Sequence, residues 1–254
     1  KKDIVCFSPS YKSEDDYIEY IAENTRSEKF DLPGAKKEIL EISKIFKTKI
    51  IEGESATERN FNKHINDYKV LHLAMHADLG QETSNTNLRF SQIQDSVYNN
   101  LVSIDEIKGL RINADLAVLS ACNTGVGEIS KGEGAISISK AFALAGVPST
   151  IMSLWKVPDE STAYLMVEFY KNLKEGMRKD EALRFAKLSY INDNTIPHAL
   201  KTPYHWAGFI ATGNMNPIKL NRSKTPLLIC TGLSLIFIFL FINYTRKYSF
   251  CKRR

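Results

Sequence analysis

Little in this chain points to a metal site or a disulfide framework. Only four of the 254 residues are cysteine, at Cys6, Cys122, Cys230 and Cys251. There is no CxxC pair and no Cys/His ligand spacing, which structural zinc and disulfide scaffolds both need. No GxSxG, P-loop or GxGxxG stretch occurs, so the common signatures of α/β hydrolases, nucleotide hydrolases and dinucleotide enzymes are missing. No internal repeat and no low-complexity tract is present. The chain opens on Lys-Lys with no secretory signal pattern, so targeting is not readable at that end. No basic stripe interleaved with aromatics is seen, and nucleic acid is therefore not an expected partner.

Acidic residues are lacking in one place. From Lys219 onward there are eight basic residues and no Asp or Glu, although the whole chain carries a formal charge of only +5. Without that tail, 26 basic residues face 29 acidic ones. The positive balance belongs to the tail and not to the body. With 43% hydrophobic and 25% charged residues, the body is globular in composition and long enough to bury a sizeable core.

The tail holds the longest uncharged run, LLICTGLSLIFIFLFINY over 227–244. Eighteen helical residues at about 1.5 Å each span roughly one hydrocarbon core. Apolar side chains go all the way round, and basic residues flank both ends. The expectation is a transmembrane helix over 227–244, with a folded domain at 1–216, a basic linker at 217–226 and a short basic tail at 245–254. Three basic residues precede the span and five follow it. The positive-inside tendency then predicts a single-pass membrane protein with a cytoplasmic C-terminus and an extracytoplasmic body.

Within the body, short apolar runs alternate with amphipathic stretches. Strands are expected at 3–8, 49–51, 68–75, 116–121, 150–155 and 205–212. Helices are expected after Pro33-Gly34, where Ile39, Ile42, Ile45 and Phe46 recur at helical spacing, and at 57–67, 134–145, 161–174 and 180–191. Ser103 with Glu106 makes a capping box for a short helix. Strands that read as nearly continuous apolar runs, separated by helices, predict an α/β fold with a mainly parallel sheet flanked by helices.

In such a sheet, ligands gather at the carboxyl ends of the strands. Two residues stand there that could act together: His76 ends YKVLHLAM, and Cys122 ends LAVLSA. An imidazole can take a thiol's proton and later protonate a leaving amine. Small residues lie beside both, so backbone N–H groups of Ala77 and Cys122 could face a developing oxyanion. Singly, each has an ordinary reading: Cys122 as a small buried hydrophobe and His76 as a structural residue. Together, with His76 lying 46 residues upstream, they follow the caspase-type order. His72, four residues earlier, reads as core.

LHLAMHA, LAVLSACNTG, KGEGAISISKAFALAGVPSTIMSLWKVPDESTA and TPYHWAGFIATGN, in this order, resemble the CHAT domain family of caspase-like cysteine peptidases, often fused to tetratricopeptide repeats. LPGAKKEI resembles that family's early helix. The resemblance covers about 3–214. It implies a caspase–hemoglobinase-like fold and cysteine endopeptidase chemistry, with catalytic His76 and Cys122. Ala77 stands where glycine is common in the family, and Met75 where Thr or Ser is common. SLWKVPDE resembles the segment lining the substrate cleft, which makes Trp155 and Asp159 candidate substrate-binding residues. Asp159 could instead cap the helix beginning near Ser161.

The resulting expectation is a membrane-anchored cysteine endopeptidase in regulated bacterial signalling or defence. It would act on protein or peptide substrates, need no metal or organic cofactor, and answer to an N-terminal repeat or other regulatory partner. The alternative is a non-enzymatic interaction module tethered to the membrane.

Overall fold

The chain builds its sheet from apolar runs and its outer layers from amphipathic ones. The computed structural model describes residues 1–11, 32–78, 87–92, 100–120, 129–130, 134–135, 138–155 and 157–221. Strand β1 (Lys2–Pro9) is buried along nearly its whole length. Helix α1 (Pro33–Ile45) starts on a proline, whose missing N–H costs nothing at a helix N-terminus. It is followed by β2 (Thr48–Gly53). Helix α2 (Glu58–His64) is capped by Thr57, whose hydroxyl accepts from the Asn60 N–H at 3.2 Å. Strand β3 (Tyr68–Leu73) comes next. Then β4 (Ala77–Asp78), β5 (Asn87–Arg89) and β6 (Leu101–Ser103) make a small antiparallel sheet.

Helix α3 (Ile104–Gly109) carries the expected capping box, with both Ser103–Glu106 bonds formed. Strand β7 (Leu116–Leu119) is buried throughout. The pair β8 (Ile129–Ser130) and β9 (Gly134–Ala135) precedes α4 (Ile138–Leu144), so this helix begins four residues later than its apolar pattern suggested. Strand β10 (Ser149–Ser153) leads to α5 (Asp159–Lys174) and α6 (Lys179–Asn192). A 3-10 turn (His198–Lys201) and a one-turn helix α7 (Pro203–Trp206) precede β11 (Phe209–Gly213). The last strand therefore starts after His205 and Trp206. Pro203 sets the helical φ, and the Ala207 N–H closes that turn on the Pro203 carbonyl at 2.8 Å.

The main sheet has the order β11-β10-β7-β3-β1-β2, parallel except for the β10–β11 pair. Alternation along each strand feeds two cores. Val5, Phe7, Leu71, Leu73, Ala117 and Leu119 face α2, α3 and α4, where Phe61, Ile107 and Phe142 meet them. Ile4, Cys6, Val70, Leu116, Val118 and Ile151 face α1, α5 and α6, where Ile39, Leu165, Phe169 and Ala186 meet them. From β1 the chain goes outward to β2 and then back across to β3. The strand order thus reverses between β1 and β3, and a crevice opens at their carboxyl ends.

The expected transmembrane helix is corrected. Among the described residues no helix is long and apolar enough to cross a membrane. The longest there, α5, has 16 residues and is amphipathic, about 24 Å where a hydrocarbon core needs about 30 Å. Residues 227–244 lie outside the described part. The membrane-spanning element and the single-pass membrane location both lapse with this finding. Lys1–Arg222 forms one compact unit.

Candidate active site

Parallel pairing aligns the two strands whose ends carry the candidate chemistry. β3 and β7 are neighbours, with Val70 opposite Leu116 and Leu73 opposite Leu119. His76 lies three residues beyond Leu73. By count, Cys122 lies three beyond Leu119, but Cys122 and the loop that follows it fall outside the described residues. Ser120 is the last residue described on that side.

His76 is half-buried at the β1/β3 crevice. Its carbonyl accepts from the Arg89 N–H at 3.0 Å. Its own N–H does not return the bond to Arg89. It donates at 2.9 Å to the Tyr11 hydroxyl, which in turn donates to the Arg89 carbonyl at 3.1 Å. The next pair, Ala77 and Leu88, is therefore a non-hydrogen-bonded pair of the antiparallel ladder, and the Ala77 N–H is directed away from β5. The Tyr11 ring lies against the His76 imidazole, with centroids 4.7 Å apart and planes tilted by 49°. Tyr11 went unnoticed in the sequence, where it opens a polar stretch after β1. The only signal was an aromatic residue just past a strand's carboxyl end.

Asp159 stands at the junction of two helix N-termini. It is the first residue of α5, yet its Oδ2 accepts from the Gly34 N–H of α1 at 2.5 Å. Helix α1 has no acidic residue in its first turn and no side-chain cap of its own. Asp159 supplies both from a neighbouring helix, satisfying one of α1's orphan donors and opposing its dipole. Burial pushes the Asp159 carboxyl above the usual aspartate range, while the Gly34 bond and the nearby His76 charge pull it back. That coupling puts Asp159 in the electrostatic field of His76. Trp155 follows β10, and its Nε1 donates to the Tyr204 carbonyl at 2.9 Å. Its ring rests on Gly208, where a Cβ would meet Trp155 Cε2 at 3.0 Å.

Beneath this edge lies a buried polar network. His72 Nε2 is 2.8 Å from Glu38 Oε1. Ser120 Oγ donates to Glu38 Oε2 at 2.9 Å, and Tyr170 Oη is 3.1 Å from His72 Nδ1. Serine, histidine and glutamate here have a hydrolase composition but not its connectivity, since Glu38 and not His72 contacts the serine. All are buried. His72 is a core residue, as its position in the strand implied. Among the described residues no cluster of three His, Cys, Asp or Glu could hold a metal ion.

The sheet is an open α/β architecture, parallel but for its β11 edge, with His76 just beyond the carboxyl end of β3. Solved structures share it. Gingipain R, described as an Arg-specific cysteine proteinase, superposes with a TM-score of 0.54 at 10% identity, over 85% of this chain and 47% of that one. The Saccharomyces cerevisiae separase–securin complex gives 0.53 at 12% identity, over 84% of this chain and 12% of that one. At these identities the likeness concerns the fold. The family is narrower: residues 9–214 match the CHAT domain, and the chain belongs to the CHAT domain family. Curated relatives include tetratricopeptide repeat protein 28 of Mus musculus and of Homo sapiens, each 26% identical over 125 residues. That segment is 49% of this chain and 5% of theirs, so the match reaches only a small part of those proteins. Relatives from mouse and human lend no support to the expected bacterial setting.

Proposed function

We propose that this chain is a caspase-like cysteine endopeptidase acting on protein or peptide substrates. His76 takes the proton of the Cys122 thiol, and the thiolate attacks the scissile carbonyl. The N–H groups of Cys122 and Ala77 hold the oxyanion of the tetrahedral intermediate. His76 then gives its proton to the leaving amine. Water, deprotonated by the same imidazole, hydrolyses the thioester and returns the free thiol. Trp155 and Asp159 belong to the substrate side of this proposal. A repeat array or other regulatory partner belongs to it too, in line with relatives named for tetratricopeptide repeats.

The observation that supports the reading best is the β3–β7 register. Strand ends paired at Leu73 and Leu119 are each followed, three residues on, by one member of a His–Cys pair. The direction of the Ala77 N–H, away from the β5 ladder, supports its share of the oxyanion site.

The test is labelling of the full chain with a library of peptidyl acyloxymethyl ketones, followed by mapping of the modified cysteine. Labelling at Cys122, lost in Cys122→Ala and reduced at least about 100-fold in His76→Ala, is the expected result. Cys6 is an internal control. It is fully buried, and burial holds its thiol well above the ordinary range, so it stays unlabelled in the native protein. A Cys122 that reacts with no probe removes the peptidase reading and leaves an interaction module on a peptidase fold.

A further inference from the structure

Tyr11 is 3% exposed, and its ring and hydroxyl both meet His76. We propose that Tyr11 is the positioning residue of His76: its hydroxyl, inserted between the His76 N–H and the Arg89 carbonyl, and its ring, laid against the imidazole, hold that imidazole in one orientation at the crevice. This rests on the reading of His76 as the acid–base group and adds a residue to it.

The argument is one of ladder geometry. In a hydrogen-bonded antiparallel pair the two residues exchange both N–H···O bonds. His76 and Arg89 complete one of the two, Arg89 N–H to His76 carbonyl at 3.0 Å. The Tyr11 oxygen replaces the other with two bonds of 2.9 and 3.1 Å. A hydroxyl can do this because it accepts and donates at once. The inserted oxygen thus occupies the place of the second direct His76–Arg89 bond. The contact at 4.7 Å between ring centroids narrows the rotamers open to the imidazole.

Tyr11 is itself held. The preceding Ser10 N–H donates to Ser91 Oγ at 3.0 Å, Ser91 Oγ donates to the Gly53 carbonyl at 2.7 Å, and Ser91 N–H donates to the Ala56 carbonyl at 2.9 Å. The ends of β1, β2 and β5 are thereby fastened together around the histidine. An imidazole that must reach both a thiol and a leaving amine gains from such fixation, since a displacement of about 1 Å can cost about 100-fold in rate.

The test compares the full-length wild type with Tyr11→Phe and Tyr11→Leu. Phenylalanine keeps the ring and removes both hydroxyl bonds; leucine removes ring and hydroxyl. Three quantities are read: amide exchange at His76 with Leu71 as a β3 control, the NMR signal of the His76 ring Cδ2–H, and the rate of Cys122 labelling. In Tyr11→Phe, the expected result is His76 exchange faster by about tenfold or more, unchanged Leu71 exchange, and labelling slowed about tenfold. In Tyr11→Leu, the ring-current shift of the His76 signal also disappears and labelling slows by about 100-fold.

Wild-type His76 exchange in Tyr11→Phe, or a wild-type ring signal in Tyr11→Leu, overturns the proposal. So does an undiminished labelling rate in both variants when the His76 signals have moved, because Tyr11 would then be a structural residue only. If Tyr11→Leu does not fold, Tyr11→Phe decides. If wild-type Cys122 takes no probe, the peptidase reading falls, and the exchange and ring measurements still decide whether Tyr11 orients His76.

Discussion

Glu38 takes a carboxylate into the layer between the sheet and α1, where it is 1% exposed. One buried acid there contacts three elements: its own helix, His72 of β3 and Ser120 at the end of β7. Burial is the largest influence on it and pushes its carboxyl above the ordinary glutamate range, with His72 and Ser120 pulling the other way. The folded protein thus holds the Glu38 proton more tightly than the unfolded chain does. The stability this contributes is fully present below the unfolded value of about 4.3 and is lost as pH rises through the folded value. Glu38→Gln removes that dependence. Urea midpoints measured from pH 4 to pH 8 are expected to show the wild type losing stability relative to Glu38→Gln as pH rises across this window. Parallel curves would mean that Glu38 does not titrate above its unfolded value. The sequence marked His72 as core because of its place inside an apolar run. It gave no sign of Glu38 as its partner, since Glu38 sits in a helix whose Lys36, Lys37 and Glu41 are ordinary surface residues by type. Only packing showed which of these charges turns inward.

At the level of elements, the N-termini of α1 and α5 meet so closely that one residue type alone fits between them. A Cβ on Gly34 would lie 2.6 Å from Asp159 Cγ and 2.7 Å from the Asp159 carbonyl oxygen. Alanine has the better helix propensity by about 1 kcal/mol, yet overpacking of this kind costs about 1–3 kcal/mol. Gly34→Ala is therefore expected to destabilise the protein by up to about 2 kcal/mol in urea unfolding. In an Asp159→Ala background the penalty shrinks without vanishing, because the backbone carbonyl remains. An equal cost in both backgrounds would show that the side-chain approach is not what excludes alanine. Boundaries were legible wherever local chemistry sets them. The Ser103–Glu106 box did so for α3, and Gly146, at φ 105°, closes α4. They were not legible where an element answers to a distant partner. Asp159, a substrate-side candidate with a cap for its own helix as the other reading, accepts from the first turn of α1. His205 and Trp206 read as strand and in fact form a one-turn helix, with His205 Nδ1 3.2 Å from Ser161 Oγ and Trp206 Nε1 donating to the Lys201 carbonyl.

For the whole molecule, the chain beyond the family match closes back on its beginning. Lys179, 3% exposed, donates to the carbonyls of Asn214 and Asn216 at 2.8 and 2.7 Å. Lys69 donates to the Lys219 carbonyl at 2.7 Å, and Asn221 meets both carboxylate oxygens of Asp3 at 3.0 and 3.2 Å. Ile218 and Leu220 pack on the α1/α5/α6 core. A chain ending at Asn216 loses all but the first of these ties. It is expected to be less stable than one ending at Asn221 by about 1–2 kcal/mol, since bonds to charged groups and apolar burial are lost against a regained chain entropy. Equal urea midpoints for the two truncations would put the edge of the folded body at 216.

Hydrophobic period and local caps determined, from the sequence alone, the alternation of strands and helices, the parallel sheet and the placing of His76 at a strand's carboxyl end, because each depends on residues near one another in the chain. The four family segments carried the CHAT assignment for the same reason: they are short, ordered and local. The tertiary structure alone decided what surrounds the histidine. Tyr11, Arg89 and Asp159 come from the segment just after β1, from β5 and from α5, 65, 13 and 83 residues from His76, and sequence spacing holds no record of contacts at such separations. It also decided which glycine must be glycine and which glutamate is buried. Those outcomes are set by how closely two helices approach, a distance fixed by the packing of the whole body.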